Sequence, residues 1–371
     1  MAILRKTIWL VSLAIVLVGA TQAAAQKYQP FGPLEYHHDL APFSPFDGEP
    51  FGNDPKLHEG FFANYDRLYW VPSAPSVRGI GATGQTQTFN NAGGMAEVFS
   101  NSADTGYLRN LGGWGNRWEL GYIDGNEGWL ISVFAAHSRI EELDDNLTSV
   151  IFTDPGGPGG ALLLAPVIFD TLTATQQSKL KNWELMKILR LKKLHNGSNV
   201  EVFYGVRYLE LQDNFGVAAV GGDFGDSDWA NEVRNNIIGP QAGVRWLQRR
   251  GDWRFDIEGR FSPAFNFQKA TLSSDLAQDS AAGGGVINFS PTQTSQTITI
   301  EQFSPLVEFR AETNYQFTRN VAFRLGWTGI FIQRVGRANN MISYTLPGLG
   351  LQRHRENYFA HGVTIGIEIN H

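Results

Sequence analysis

Cysteine is absent from all 371 residues, which removes disulfide frameworks, thiol catalysis, cysteine zinc sites and lipidation on a cysteine after a signal peptide. Charge is also sparse. Only 18% of residues are Asp, Glu, Lys or Arg, and a net charge of -6 lacks the basic excess of a nucleic-acid binder, so no nucleic-acid partner is expected. Long apolar runs are missing beyond the first segment: Leu162 to Phe169 is brief and interrupted by Pro166, so no helical membrane span is expected. The one sustained run, Ile8 to Ala20, is too short for a spanning helix. It follows Arg5 and Lys6 and precedes Ala23-Ala24-Ala25, the layout of a signal peptide over 1–25 cleaved near Ala25–Gln26. What the chain does have is 41 Gly with 25 Phe, 11 Tyr and 10 Trp, a composition for many strands and turns rather than helical bundles.

Residues 26–60 carry Pro30, Pro33, Pro42, Pro45, Pro50 and Pro55, which prevent ladders and long helices and predict an extended periplasmic leader. From 61 to 371 the pattern becomes alternation. In Trp253 to Phe261 every second residue is apolar or Gly, and the four between them, Arg254, Asp256, Glu258 and Arg260, are all charged. Strand side chains alternate faces, so this window has one apolar face and one ionic face. Weaker copies predict ten strands near 61–71, 112–123, 128–138, 180–194, 199–213, 235–249, 252–268, 297–317, 321–335 and 357–371, with twelve as the alternative count.

Turn chemistry sets the expected registers. Two-residue turns at Asn196-Gly197, Arg250-Gly251 and Gly125-Asn126 pair Lys192 with Glu201, Arg245 with Asp256, and Leu120 with Ile131. A three-residue turn at Thr318-Arg319-Asn320 puts Asn314 opposite Arg324. Between these tight turns lie segments near 72–111, 139–179, 214–234, 269–296 and 336–356, rich in Gly, Asn, Asp, Ser and Thr, which read as long loops. Short turns on one side and long loops on the other are the asymmetry of outer-membrane barrels. The expected fold is therefore an all-β, ten-stranded antiparallel transmembrane β-barrel in the cell outer membrane, with outer-membrane lipid and the barrel-assembly machinery as partners.

Orientation follows from cost and from the aromatic residues. Tyr69, Trp70, Trp118, Tyr122, Trp129, Trp183, Tyr208, Trp246, Trp253 and Trp327 recur near strand ends as an interfacial girdle. The opposite face carries Arg117, Glu119, Glu184, Arg190, Lys192, Glu201, Arg207, Arg245, Arg254, Asp256, Glu258, Arg260, Glu308, Arg310, Glu312, Arg324 and Glu368. A basic side chain at the lipid midplane costs roughly 2–4 kcal/mol, so these residues are expected to line the lumen. Lys187 and His361 fall on the lipid parity and must snorkel or mark a bulge.

The stretches Tyr204-Gly-Val-Arg-Tyr-Leu-Glu-Leu, Gly239-Pro-Gln-Ala-Gly-Val-Arg, Asn314-Tyr-Gln-Phe-Thr-Arg-Asn-Val-Ala-Phe-Arg-Leu-Gly-Trp and Phe359-Ala-His-Gly-Val-Thr-Ile-Gly resemble the β-barrel porin-7 family, as does Tyr65 to Trp70. The resemblance covers about 61–371. It implies a barrel and brings no catalytic signature. The terminal His371 departs from the Phe usual at the end of such barrels.

An eight-stranded barrel is filled by side chains and one of sixteen or more is an aqueous channel. Ten strands with nearly balanced charge predict a salt-bridged lumen, either closed or a narrow pore for small solutes. The rival roles are a surface adhesion or recognition barrel acting through its loops, and an outer-membrane hydrolase built on His137-Ser138 with Glu141, Glu142, Asp144 and Asp145. Asp223, Asp226 and Asp228 lack the closing Glu of a calcium loop, His37-His38-Asp39 lacks further ligands, and Gly156-Gly-Pro-Gly-Gly lacks the Lys of a phosphate loop. No cofactor or metal and no catalytic residue is assigned.

Overall fold

Strands dominate because apolar and polar residues alternate with period two nearly throughout the second of the chain's two units, Pro55–His371. The computed structural model describes residues 59–370 except 83–85, 91–95, 109–110, 155–162, 193, 195–196, 223, 279–290 and 319. The expected signal peptide, nearly all of the leader, His37-His38-Asp39, the Gly156 run, Asp223 and His371 lie outside the described residues.

The strands are β1 Gly60–Pro72, β2 Thr86–Asn90, β3 Ala96–Ser100, β4 Gly113–Asp124, β5 Glu127–His137, β6 Glu141–Asp154, β7 Leu163–Arg190, β8 Asn199–Val220, β9 Ser227–Arg250, β10 Trp253–Ser262, β11 Phe265–Leu276, β12 Thr292–Phe303, β13 Leu306–Gln316, β14 Val321–Val335, β15 Ile342–Ser343, β16 Gly350–Leu351 and β17 Glu356–Asn370. The described residues contain no α-helix. Ten strands close an antiparallel ring in the order β1-β4-β5-β7-β8-β9-β10-β13-β14-β17, with β17 returning to β1. All ten expected strands are in this ring. Two of them are interrupted: Pro263 separates β10 from its continuation β11, and Pro305 separates β12 from β13.

The main difference from expectation lies beyond one rim. The segments 139–179 and 214–234 are mostly strand, not loop. β7, β8 and β9 run 28, 22 and 24 residues, against about 9–11 to cross a membrane. Their outer halves join β6, β11 and β12 in a six-stranded antiparallel extension ordered β6-β7-β8-β9-β11-β12. Thr, Asn and Gly on its solvated face lower the hydropathy there without interrupting the pairing.

Two turns also sit differently. The pairs Leu120↔Ile131 and Asn314↔Arg324 are as expected. The other two hairpins are slipped by two residues: Arg190, not Lys192, faces Glu201, and Arg245 faces Glu258, not Asp256. The second turn is centred on Gly251-Asp252, where Gly251 takes the left-handed φ of 58° that only Gly adopts at little cost. A slip of two keeps every side chain on its face, so alternation cannot detect it.

The apolar face points outward. Trp118, Trp129, Ile131, Trp183, Leu185, Ile257, Phe309 and Ile365 are all exposed around the ring, forming a continuous hydrocarbon-facing band. Of the expected girdle, Trp70 is a correction: it shares parity with Leu68, is 1% exposed, and packs inside against Phe134 at 5.3 Å. Lys187 reaches Glu127 at 2.5 Å and lies over the Trp129 ring, while His361 sits between the Trp327 and Phe359 rings.

Candidate functional site

The barrel interior is layered, and β7 alone displays the order. From the turn end its inward residues are Ile188, Met186, Glu184, Asn182, Leu180, Ser178, Gln176, Ala174 and Leu172. Ile188 and Met186 belong to an apolar floor with Ile123, Leu130 and Phe203. Glu184 belongs to an ionic layer, Leu180 to a second apolar layer with Leu68, Trp70, Leu209 and Ile332, and Ala174 and Leu172 to the core of the extension.

The ionic side chains form a large lattice, in which Arg324 reaches Glu119 at 3.7 Å, and a separate cluster of Arg254, Asp256 and Glu368 nearer the turn end. Starting at the turn end, Arg190 and Arg245 bind Glu201 at 2.8 and 3.3 Å, and Arg245 binds Glu258 at 2.6 Å. Glu258 and Glu184 flank Arg260. Arg207 reaches Glu184 at 3.6 Å and Glu308 at 2.6 Å, Glu308 pairs with Arg310, and Arg310 crosses to Glu119 at 2.6 Å. Arg324 and Arg117 share Glu312 at 2.5 and 2.6 Å, and Arg117 ends on Asp66 at 2.8 Å. Arg254 grips both oxygens of Glu368 at 2.9 and 2.5 Å and binds Asp256 at 3.0 Å.

Several of these contacts join strands that are not neighbours: β10 to β7, β8 to β13, and β4 to β13. They therefore span the lumen rather than decorate its wall. Arg is suited to this because its planar fork donates to two carboxylates at once. The side chains of Arg117, Glu119, Glu184, Arg207, Arg260, Glu308 and Arg310 are all at most 5% exposed.

The expected residues are thus placed as follows. Glu201, Asp256, Glu258, Arg324 and Glu368 are also buried; Arg190, Arg245, Arg254 and Glu312 are half-buried toward the turn end. Lys192 is the exception, an exposed residue beyond the end of β7, displaced from the lattice by the two-residue slip. Asp66 was not anticipated: its strand places Leu68 and Trp70 on the same inward parity and Arg67 outward, where Arg67 lies over Trp114 and binds Asn116, so no clean ionic face announces it.

A second seal lies at the extension end. Gly336 exchanges two hydrogen bonds with Asn235, its N–H donating at 2.9 Å and its carbonyl accepting at 3.0 Å. The Ala338 N–H and Arg337 Nε both donate to Asp213 Oδ2 at 2.9 and 3.0 Å. Arg337 is fully buried, donates to the Ser73 carbonyl at 3.2 Å and lies over the Tyr358 ring. Gln176 and Ser178 donate to the other Asp213 oxygen at 2.6 and 2.5 Å. This latch was missed because 336–356 reads as loop, although Asp213 continues the inward parity of Arg207, Leu209 and Leu211.

Between these seals the interior holds only a small recess lined by Leu68, Trp70, Arg117, Arg207 and Arg310. A larger one, bounded by Arg190, Glu201, Arg254, Asp256 and Glu368, opens at the turn end. Above the latch, the extension has its own core, with Phe152 stacked on Phe224 at 5.6 Å and Trp229 edge-on to Tyr344 at 6.0 Å. Burial pushes the Tyr344 hydroxyl far above the ordinary tyrosine range.

The His137 arrangement does not assemble. His137 is exposed on the outward face, whereas Ser138 is buried and bonded through Oγ to the Ser178 N–H and the Arg139 carbonyl. Asp226 accepts from the Gly221 N–H and Asp228 from Gln278. The described residues include no cluster of three or more potential metal ligands.

Residues 169–371, more than half of the chain, match the family described as Putative beta barrel porin-7 (BBP7). The chain belongs to this family. It is an outer-membrane β-barrel protein of the cell envelope. Similar solved structures include the outer membrane protease OmpT from Escherichia coli, at 8% identity over 85% of this chain and 99% of that one, TM-score 0.40. Neisserial surface protein A is 9% identical over 85% and 100%, TM-score 0.25. The toluene transporter TodX of Pseudomonas putida is 8% identical over 85% and 91%, TM-score 0.28. Such distant likenesses say nothing of activity. No curated protein matches. Porin-7 membership accords with the barrel architecture.

Proposed function

We propose that the protein is a closed outer-membrane anchor that raises a β-structured extension into the cell's surroundings for recognition or adhesion, rather than a solute channel. One observation carries the reading: buried arginine–carboxylate contacts cross the lumen between non-adjacent strands, with a second, independent latch above them. A conducting path would have to separate charges whose desolvation is already offset by one another, at about 3–5 kcal/mol for each pair broken. The alternative pore reading draws on the recess at the turn end, which stops at the lattice. The extension supports the display role. Its long strands, enclosed aromatic core and polar outward face form a rigid platform in place of loops.

The test is conductance of the purified full-length protein in planar bilayers. Silence is expected from the wild type, and from Glu184→Ala alone because the latch is intact. Discrete open steps from the wild type at low voltage would return the protein to the narrow-porin class.

A further inference from the structure

Cross-strand register on the outward face of the extension brings cations together where the membrane ends. Trp183, Tyr208, Ile238, Phe265 and Phe303 are successive partners across β7, β8, β9, β11 and β12, forming one complete apolar row. Two steps farther along each strand, Lys179, Gln212, Arg234 and Lys269 are likewise successive partners, and His137 of β5 extends this row by pairing with Lys179. The four residues separating Trp183 from Lys179 correspond to about 13 Å along the strand, or about 10 Å along the membrane normal at a tilt of about 40°. That is the depth of the headgroups, within reach of long side chains leaning back toward the hydrocarbon.

The row contains no acid. Lys181, one step nearer the membrane, holds Glu210 at 3.2 Å, and Arg234 holds Glu232 in its own strand; both cations remain about half exposed. Lys179 and Lys269 have no ion-pair partner among the described residues, and Lys269 is exposed. Surface pairs such as the first two are held weakly and exchange readily. Neighbouring strands are about 4.8 Å apart, so Lys179, Arg234 and Lys269 lie within about 15 Å of one another.

We propose that this row binds the phosphate of a lipid headgroup in the leaflet at the extension end, with preference for a phosphomonoester. Such a group carries close to two charges and three acceptor oxygens, enough to engage Lys179, Arg234 and Lys269 from one headgroup or two adjacent ones. The acyl chains would then lie against the Trp183–Phe303 row. The site is independent of whether the lumen conducts.

The test uses full-length protein in maltoside micelles titrated with phosphatidate carrying a pyrene-labelled acyl chain, with energy transfer from tryptophan as the signal. The same chain on phosphatidylcholine is the reference lipid. The wild type is expected to favour phosphatidate, with an affinity that falls as salt is added. The Lys179→Gln, Arg234→Gln, Lys269→Gln triple variant is expected to weaken phosphatidate binding by roughly 10- to 100-fold. Arg249→Gln with Arg250→Gln, at the opposite rim, should leave it unchanged. Equal binding by wild type and triple variant, equal loss in the opposite-rim variant, or displacement by inorganic phosphate at the concentrations where lipid acts would each overturn the assignment. Migration shift on heating in dodecyl sulfate reports folding. Should the triple variant fail that check, the exposed single exchange Lys269→Glu decides: weakened binding upholds the site and unchanged binding overturns it.

Discussion

Glu184 is the lattice position where a closed, dry lumen and a hydrated one predict opposite results. Its side chain is fully buried. Its carboxylate accepts from Arg260, from Gln241 Nε2 at 3.0 Å and from Asn182 Nδ2 at 2.5 Å, and Arg207 lies 3.6 Å away. Glu184→Ala leaves Arg260 and Arg207 short of a counter-charge in a place water does not reach, which costs about 3–5 kcal/mol. Each 1.4 kcal/mol is tenfold, so the unfolding constant rises by roughly two to four orders of magnitude. Arg260→Met strands Glu184 in the same way. The double variant Glu184→Ala, Arg260→Met removes one charge of each sign, so its cost falls short of the sum of the single variants by about 1–3 kcal/mol. The assay is urea unfolding of the liposome-embedded barrel followed by tryptophan fluorescence. If each single variant costs less than about 1 kcal/mol and the pair is additive, the contact behaves as a solvated surface bridge and the dry-lattice reasoning is wrong.

Three further outcomes follow from other layers. Leu185 is exposed beside Ile131 and Val206 in the outward band, so Leu185→Arg should destabilise the embedded barrel by about 2–4 kcal/mol; no loss would mean the band does not meet hydrocarbon. Arg337→Ala leaves Asp213 buried without its cation, so limited proteolysis within 336–356 should quicken by roughly 100-fold while the barrel still shifts its migration on heating; unchanged cleavage would refute the latch. His354, outside the membrane band, has its pKa lowered by burial and then by Arg78, against the opposing pull of Glu356. The unfolded segment therefore takes up a proton first, so local stability is intact above about pH 6.5 and declines as pH falls from there toward the folded value. Amide protection factors around His354, taken against the intrinsic exchange rate at each pH, should fall on acidification in the wild type and not in His354→Gln; equal pH dependence in both would exclude this histidine.

The ring itself was legible because lipid enforces parity: Arg254, Asp256, Glu258 and Arg260 alternate with apolar residues or Gly, and all four face inward in ion pairs. Register was less legible. Moving β7 against β8 by two residues exchanges Lys192 for Arg190 opposite Glu201 without turning any side chain to the wrong face. The two-residue slip at Gly251-Asp252 similarly gives Arg245 to Glu258, a partner no alternation rule could name. The extension was illegible for a different reason. Beyond the membrane the outward face is solvated, so Thr173, Thr175 and Asn214 resemble loop residues although they lie in paired strands. Asp213 ends an expected strand, but Arg337 lies in 336–356, which reads as loop, so the second seal could not be seen before the strands were placed.

The absence of cysteine offers the most direct measurement of closure. Ser132 faces inward at the level of Glu119 and Glu184, is 0% exposed, and is close in size to cysteine. A single Ser132→Cys variant in liposomes should resist a membrane-impermeant methanethiosulfonate reagent and react only once the barrel is unfolded, while Asp124→Cys at an exposed turn reacts at once. Labelling of the folded Ser132→Cys protein at the rate of the turn cysteine would mean that water reaches the middle of the barrel, and the closed-lumen account would be contradicted.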